Sequence, residues 1–424
     1  MLASHPNSTN RHLNRTLLVR EAVLLAFCDP LPSDCERLLG LSPKEWHSLL
    51  RWLDTAGLAL YFLDRLEELG LIESVPPQVL ARLRQNLADN TERIGSLITE
   101  SATIQHRFQS AGLSYCVVKG FSLWPLSAPK IELRSQLDLD FLVSEESSTE
   151  AQRILEELGF RVIRIIGRTM ELRAGEERTS NPGDLYRAGL SRTVELHTEQ
   201  VRPGRPSRLA HARNLSFHGI SMPVLRPTDL FLGQGMHLYK NLLCSQFSRV
   251  AHLMEFRRHV IARRGDEGFW KELEQQVRDD RAACVGLGAI ILLIARVMGP
   301  FAPEAFTRWT VDQLPATAGL WADLFAHRTV LASFPGSKLY TLLQKELQTT
   351  TASSTLLSWP ALLPRRIPPI VTHGSAGETL VARMGRYRRQ FQYILFRARF
   401  HLREGIPSIS ASISFGRQKK ASSQ

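Results

Sequence analysis

The chain has 424 residues, which is too long for one ordinary core, and its 43% hydrophobic and 22% charged residues are typical of soluble globular proteins. Its net charge of +12 and pI of about 9.8 favour partners that carry phosphate or other negative charge. The five cysteines include no Cys-x-x-Cys pair, which argues against a zinc ribbon and favours a reduced, cytoplasmic protein. A signal peptide is not expected, because Arg20 and Glu21 interrupt the first apolar run.

Residues 1–112 are predicted to form a helical amino-terminal region. The run from Pro43 carries apolar residues at helical spacing and ends at Gly70. Pro76 and Pro77 then precede a long amphipathic run that ends at Gly112.

Residues 113–225 change in character and predict a small mixed sheet. Short β-rich runs occur at LSYCVVKG, LDLDFLV, RVIRIIG, TMELRA and RTVELHTE. Helices are expected at FSLWPLS and TEAQRILEELGF, and GEERTSNPGD reads as a connection. We therefore predict an α+β fold in which this mixed-sheet core is flanked by helical regions.

Helical patterns return over 226–405, and the polar residues 406–424 are predicted to be a disordered tail. The apolar run 282–295 is too short to span a bilayer, so we expect a buried helix and no transmembrane segment. Its Gly-Leu-Gly does not follow a predicted strand, which argues against a dinucleotide-binding fold.

A basic segment at 381–403 interleaves seven arginines with aromatic residues, so a nucleic-acid or membrane surface is one interpretation. A stripe at helical spacing supports the other interpretation, a core helix with a solvated arginine face. Its members are Val381, Met384, Tyr387, Phe391, Ile394, Ala398 and Leu402. We favour the core helix.

Two aspartates in LDLDFLV point to a cation site. Side chains alternate along a strand, so Asp138 and Asp140 share a face, where two desolvated like charges are costly without a cation. In RTVELHTE, Glu195 shares a face with His197, and it would join the aspartates if the two strands are neighbours. Three carboxylates suit two Mg²⁺ ions, or Mn²⁺, in phosphoryl transfer.

The turn after the first strand predicts phosphate binding. Gly120 allows the backbone to approach a phosphate closely, while Lys119 and Ser122 offer a charge and a hydroxyl. Arg134 either braces a triphosphate with its planar guanidinium or neutralises Asp138.

Three motifs occur in the order VVKGFSL, LRSQLDLDFLV and VELH. Together they resemble the uncharacterised nucleotidyltransferase family of the DNA polymerase β-like superfamily. The family pattern has Lys-Gly in the turn, an arginine before the Asp-x-Asp pair, and a later acid-apolar-His tripeptide. In MHLYKN, His237 and Lys240 match a family helix that carries a histidine and a basic residue. The chain departs from the superfamily's Gly-Ser pair, because Phe121 separates Gly120 from Ser122.

The resemblance implies a Mg²⁺-dependent transfer of NMP from an NTP to an acceptor hydroxyl, with release of pyrophosphate. It implies that Asp138, Asp140 and Glu195 bind the metal and that the nucleotide is bound by Lys119, Gly120, Ser122, Arg134, His237 and Lys240. We expect His197 to orient other groups, and His252 and Glu255 to be ordinary polar residues of a helix.

The acceptor stays open: a nucleic acid, a protein or a small molecule would all suit this chemistry. The basic loop 202–213 is the expected contact for an acceptor that carries phosphate. The alternative is an inactive nucleotidyltransferase fold that binds nucleic acid or a protein through its basic surface.

Overall fold

The computed structural model describes residues 8–175, 185–186, 192–201, 206–243, 249–350 and 379–421. Three segments lie wholly or partly outside these residues: the connection GEERTSNPGD at 175–184, the start of the basic loop at 202–213, and residues 351–378 before the last helix.

The amino-terminal part is helical. Its helices are α1 (Ser8–Leu25), α2 (Pro43–Ala56), α3 (Ala59–Glu68) and α4 (Pro77–Ser110). The start of α2 is fixed by a capping box, in which the Ser42 hydroxyl accepts from the Glu45 N–H and the Glu45 carboxylate accepts from the Ser42 N–H. The helix ends at Gly57, whose φ of 73° is accessible to glycine at little cost.

A seven-stranded mixed sheet follows, in the order β3-β4-β5-β2-β1-β7-β6. The strands are β1 (Tyr115–Val118), β2 (Asp138–Val143), β3 (Arg161–Ile166), β4 (Thr169–Ala174), β5 (Arg192–Thr198), β6 (Arg213–Phe217) and β7 (Ile220–Val224). Helix α5 (Ser148–Glu157) connects β2 to β3. The fold is therefore α+β, as predicted.

The β6–β7 hairpin was not predicted from the sequence. Pro223 lies within β7, where a missing N–H usually argues against a strand. The structure places this hairpin at the sheet edge, and β7 joins β1 through a short parallel pairing at Val117 and Val224.

Parallel pairing of β2 with β5 sets the register of the centre of the sheet. Asp140 lies opposite Glu195, and Leu142 lies opposite His197. The alternate residues Leu139, Phe141 and Val143 are buried in the core beneath the sheet, so the polar residues face the other side.

The carboxyl-terminal part is again helical. Its helices are α6 (Pro227–Leu243), α7 (Val250–Ala262), α8 (Glu267–Val277), α9 (Arg281–Met298), α10 (Glu304–Thr307), α11 (Ala316–Val330), α12 (Tyr340–Thr350) and α13 (Leu380–Ala421). Helix α9 is long and apolar enough to cross a membrane, but 67% of it is buried inside the protein. It packs against α6 and α11 as a core helix.

The two largest hydrophobic cores lie side by side, and α4 belongs to both. Val79 and Leu83, near its start, pack with the helical core, which includes α2, α3, α7 and α9. Ile94, Ile104 and Phe108 pack with the core beneath the sheet. The 34 residues of α4 therefore connect the two cores through one continuous helix.

Helix α13 differs from two predictions. The stripe predicted to be a core face is exposed: Val381 retains 82% of its accessible surface and Phe391 retains 60%. The expected disordered tail is helical to Ala421, because Ala411 and Phe415 are buried against the helical core. The tail contains few apolar residues, but these two stabilise it by tertiary packing.

Candidate functional site

The acids predicted to form a cation site meet where β2 and β5 pair. Because these strands are neighbours in register, Asp140 and Glu195 project from opposed positions on the same side of the sheet. Asp140 is buried, with 3% of its surface exposed, while Glu195 is partly exposed. Asp138 lies on the same side, two residues before Asp140.

The ammonium of Lys119 lies between these acids. Its Nζ donates to Asp140 Oδ1 at 2.5 Å and to Glu195 Oε2 at 3.1 Å. Burial alone would lower the pKa of Lys119, but the charges of Asp140 and Glu195 raise it above its usual value. The side chain is therefore a permanent cation beside the acids in the structure.

His197 completes this cluster. Its Nε2 lies 2.9 Å from Asp140 Oδ1, and its Nδ1 lies 2.9 Å from Thr169 Oγ1. Burial alone would raise the pKa of Asp140, but the His197 hydrogen bond and the Lys119 charge hold it well below its usual range. Asp140 is therefore ionised. His197 contacts the acids directly, whereas the sequence predicted only a supporting role.

The environment of Asp138 differs from that of Asp140. Burial and the negative charges of Asp140 and Glu195 raise the pKa of Asp138 to about 7. The positive charges of Lys119 and Arg134 offset these effects only in part, so Asp138 holds its proton more tightly than an ordinary aspartate does. A perturbation of this size is common where a cation or substrate is bound.

The turn after β1 has a strained backbone. Lys119 has a φ of 55° and Gly120 a φ of 39°. Such angles cost a non-glycine residue about 1–3 kcal/mol. A Cβ at Gly120 would lie 2.5 Å from Gln136 Nε2, so a larger residue there would have to displace the Gln136 side chain and adopt a positive φ. Ser122 is buried and its Oγ donates to the Lys119 carbonyl at 2.7 Å, so its hydroxyl holds the turn.

Arg134 binds Glu255 rather than Asp138. Its Nε lies 3.2 Å from Glu255 Oε1, and its Nη1 lies 3.3 Å from Gln136 Oε1. The Tyr61 hydroxyl also donates to Glu255 Oε1 at 2.9 Å. Glu255 is 1% exposed, so the expectation of an ordinary polar residue on a helix was wrong. Its signal in the sequence, an acid on a mostly apolar helix, was too weak to identify a buried ion pair.

The two residues predicted from MHLYKN are placed differently. His237 lines the cavity in front of the acids, and although its ring is open to that cavity, desolvation and the Lys119 charge lower its pKa to about 4. Its imidazole is therefore neutral. Lys240 is exposed and is not among the described residues that line the cavity, so its nucleotide contact stays a prediction.

His252, on α7, also faces the cavity. Its Nδ1 is buried and has no hydrogen-bond partner among the described residues. Burial and the charges of Arg134 and Arg249 lower its pKa, which keeps the imidazole neutral. An unpaired buried polar atom on a cavity wall is available to a ligand.

One cavity of about 500 Å³ brings these groups together between the sheet and helices α6 and α7. This volume is in the range of small-molecule sites. Its charged and ionisable lining residues are Lys119, Arg134, Asp138, Asp140, Arg168, Glu195, His197, Arg208, Asp229, His237, Arg249, His252 and Glu255. Gly120 also lines it, whereas Ser122 lies behind the turn.

The donor atoms present would fit a divalent cation once the Lys119 ammonium, which contacts Asp140 and Glu195, moves off them. One ligand atom each from Asp140, Glu195 and His197 lies within 4.8 Å of the others. Two carboxylates suit Mg²⁺ or Mn²⁺, and the imidazole makes the set more favourable to Mn²⁺. Asp138 is outside this group of three, although its carboxylate belongs to the same cluster of charge.

The comparison with protein families agrees with the sequence motifs. Among curated proteins, none matches the chain significantly. The crystal structure of an antigenic nucleotidyltransferase-like protein from Paracoccidioides brasiliensis is similar at 15% identity and a TM-score of 0.28, covering 45% of this chain and 90% of that one. The model of the uncharacterised nucleotidyltransferase family matches residues 42–299, which include the whole sheet and the cavity. The chain therefore belongs to the uncharacterised nucleotidyltransferase family.

Proposed function

We propose that the protein transfers NMP from an NTP to an acceptor hydroxyl, with release of pyrophosphate and with Mg²⁺ or Mn²⁺ as cofactor. The observation that carries this proposal is the group formed by Asp140, Glu195 and His197, whose ligand atoms lie within 4.8 Å of one another on adjacent strands. Asp138 adds a third carboxylate on the same side of the sheet. Membership of a nucleotidyltransferase family supports the same chemistry.

Asp140 and Glu195 would hold the cation, and Asp138 would complete a site for a second ion. When bound, divalent ions neutralise charge on the phosphates and favour displacement at the α-phosphate. A proton on Nδ1 of His197, donated to Thr169, would leave the Nε2 lone pair free to bind metal. The strand pairing holds these groups in place before substrate binds, which is how such enzymes lower the barrier.

Lys119 and the backbone at Gly120 are the best candidates for binding the triphosphate. Both line the cavity next to the acids, and the turn that carries them is fixed by Ser122 and Gln136. Arg134 also lines the cavity, but Glu255 holds its guanidinium on one side. We therefore propose that Arg134 mainly shapes the cavity wall and also adds positive charge to it.

The acceptor is expected to carry negative charge. Arg168 and Arg208 line the cavity near the end of β5. Both contact Glu199: Arg168 Nη1 donates to its carbonyl at 3.0 Å, and Arg208 Nε lies 3.3 Å from its carboxylate. These contacts orient two guanidinium groups at one end of the cavity, where a phosphate or carboxylate of an acceptor would fit.

The test is incubation of the protein with each α-labelled NTP and cell extract, with and without EDTA. We expect one acceptor to gain label, and EDTA to abolish the labelling. Asp140→Asn should lower the rate by about 10³-fold or more, because a charge that holds the cation is lost. Glu157→Gln removes an exposed carboxylate of α5 that pairs with Arg107 and Arg153, and it should label at the parental rate.

Parental labelling by Asp140→Asn would contradict the mechanism. Calorimetry with Mg²⁺ or Mn²⁺ and each NTP separates an inactive fold from a missing acceptor. If no NTP binds and RNA binds in a salt-sensitive manner, the protein would be a non-catalytic binding protein that uses its basic surface.

A further inference from the structure

The first part of α13, residues 380–403, is strongly basic and contains no acidic residue. Seven arginines lie in this part of the helix. We call it the basic arm. Because these charges have one sign along the whole length, any partner that covers the arm must be anionic or must supply many counter-charges.

The basic arm also has an exposed apolar face. At 100° per residue, one side of the helix carries large apolar residues every three or four positions. Leu380 is 75% exposed, Met384 72%, Phe391 60% and Leu402 73%. Tyr387 and Ile394 lie on the same face and are exposed too. Arginines at 383 and 388 flank this face on its two sides.

The other side of the basic arm contacts the rest of the protein. Phe396 stacks on Phe334 with ring centroids 5.7 Å apart, and just beyond the arm Glu404 Oε2 accepts from the Ser337 hydroxyl at 3.4 Å. The exposed apolar face therefore points away from the protein body, and within the part of the chain that the structure describes no side chain buries it.

The second part of α13 anchors the arm. Ala411 and Phe415 are buried in the helical core, and Lys419 Nζ lies 2.7 Å from the buried Glu346. Because α13 is attached to the helical core in this way, a partner that binds the basic arm binds the whole protein.

Large apolar residues flanked by arginines fit a bilayer surface better than the other anionic partners. The phosphates of a nucleic acid would match the positive charge of the arm, but they would leave Leu380, Met384 and Leu402 in water. A second copy would bury the apolar face but would bring seven arginines against seven more. An anionic bilayer accepts the apolar residues at the boundary of its acyl chains and pairs its headgroups with the arginines.

We propose that the basic arm is an interfacial helix that docks the protein on anionic lipid bilayers. The protein then does not cross the membrane but lies on it, with the arm parallel to the surface and the apolar face of α13 below the headgroups. This proposal rests on α13 alone and is independent of the proposed transfer reaction.

The experiment is cosedimentation of the full-length protein with vesicles of phosphatidylcholine alone and of phosphatidylcholine with phosphatidylglycerol. We expect binding to the anionic vesicles at least about tenfold tighter than to the neutral ones, and weaker in high salt. Phe391→Glu should weaken binding to anionic vesicles by about tenfold or more, because it places a charge in the apolar face. Gln392→Glu adds the same charge at the neighbouring exposed position, outside that face, and should weaken binding only about two- to threefold.

Thermal unfolding of both variants should match the parent, since neither side chain is buried. Equal loss of binding in Phe391→Glu and Gln392→Glu would overturn the proposal, because only net charge would then matter. Equal binding to neutral and anionic vesicles would overturn it too. A dimer that hides the apolar face, or RNA binding in the absence of vesicle binding, would assign the arm to a different partner.

Discussion

Two groups of carboxylates face the same cavity, and they differ in how their charge is balanced. Glu255 meets Arg134 and the Tyr61 hydroxyl, so one negative charge is met by one positive charge and a further donor. Across the cavity, Asp140 and Glu195 contact the Lys119 ammonium and lie beside the imidazole of His197, and Asp138 adds a third carboxylate. Balanced buried charge indicates a structural role, whereas the excess of negative charge indicates a site for a cation.

Removing the charge of Glu255 tests whether its pair with Arg134 is structural. Glu255→Gln leaves the guanidinium of Arg134 buried without a counter-charge, so we expect the free energy of unfolding to fall by about 3–5 kcal/mol. Denaturant unfolding measures this loss. Glu304→Gln breaks an exposed ion pair with Arg308 and should cost less than about 0.5 kcal/mol. An equally small cost for Glu255→Gln would mean that the pair is not structural.

The second test removes the Lys119 ammonium, which contacts Asp140 and Glu195 in the structure. Lys119→Met keeps the length of the side chain but leaves Asp140 and Glu195 unbalanced, so the free energy of unfolding should fall by about 2–3 kcal/mol. Added Mg²⁺ or Mn²⁺ should recover part of this loss, because it binds the folded state at the same acids.

Lys130→Met is the matched control, because Lys130 pairs with Asp64 and Glu68 on the surface. We expect it to cost less than about 0.5 kcal/mol and to gain nothing specific from divalent ions. If the stability of Lys119→Met did not depend on these ions, the acid cluster would be structural, like the Glu255 pair.

The smallest expected effect concerns the pH dependence of stability. The pKa of Asp138 is about 7 in the folded protein against 3.8 for an ordinary aspartate, so the folded state holds this proton more tightly. The stability associated with the proton is complete below pH 3.8 and is lost as the pH rises through 7. At pH 8 without metal, Asp138→Asn should therefore be about 1–2 kcal/mol more stable than the parent.

Unfolding curves at pH 5 and pH 8 measure the difference in the free energy of unfolding between Asp138→Asn and the parent. Asp312→Asn, at an exposed carboxylate, should follow the parent at both values. An Asp138→Asn curve parallel to the parent between these values would show that Asp138 is not the residue that carries the excess charge.

The acid cluster could be predicted because the strand period places alternate residues on one face, and Asp138, Asp140 and Glu195 obey it in two neighbouring strands. The Glu255–Arg134 pair could not, because it joins residues 121 positions apart whose contact depends on how α7 packs. The strain at Lys119 was equally hidden, since no local pattern specifies a positive φ at a lysine.

The exposed face of α13 shows what the spacing of apolar residues cannot predict. The spacing of Met384, Tyr387 and Phe391 correctly indicated an amphipathic helix, but periodicity cannot say whether its apolar side meets a core or another partner. The nucleotide contacts and the cytoplasmic location stay predictions, because both depend on molecules other than this chain.

Helix α4 has a mechanical consequence for substrate selection. It is about 50 Å long at 1.5 Å per residue, with one end embedded in each of the two cores. A hinge motion that opened or closed the cavity would have to bend α4 or separate it from one of the cores. The gap between the sheet and helices α6 and α7 therefore keeps nearly constant dimensions, so the proposed transfer would select nucleotides and acceptors by their fit to a fixed shape rather than by closing around them.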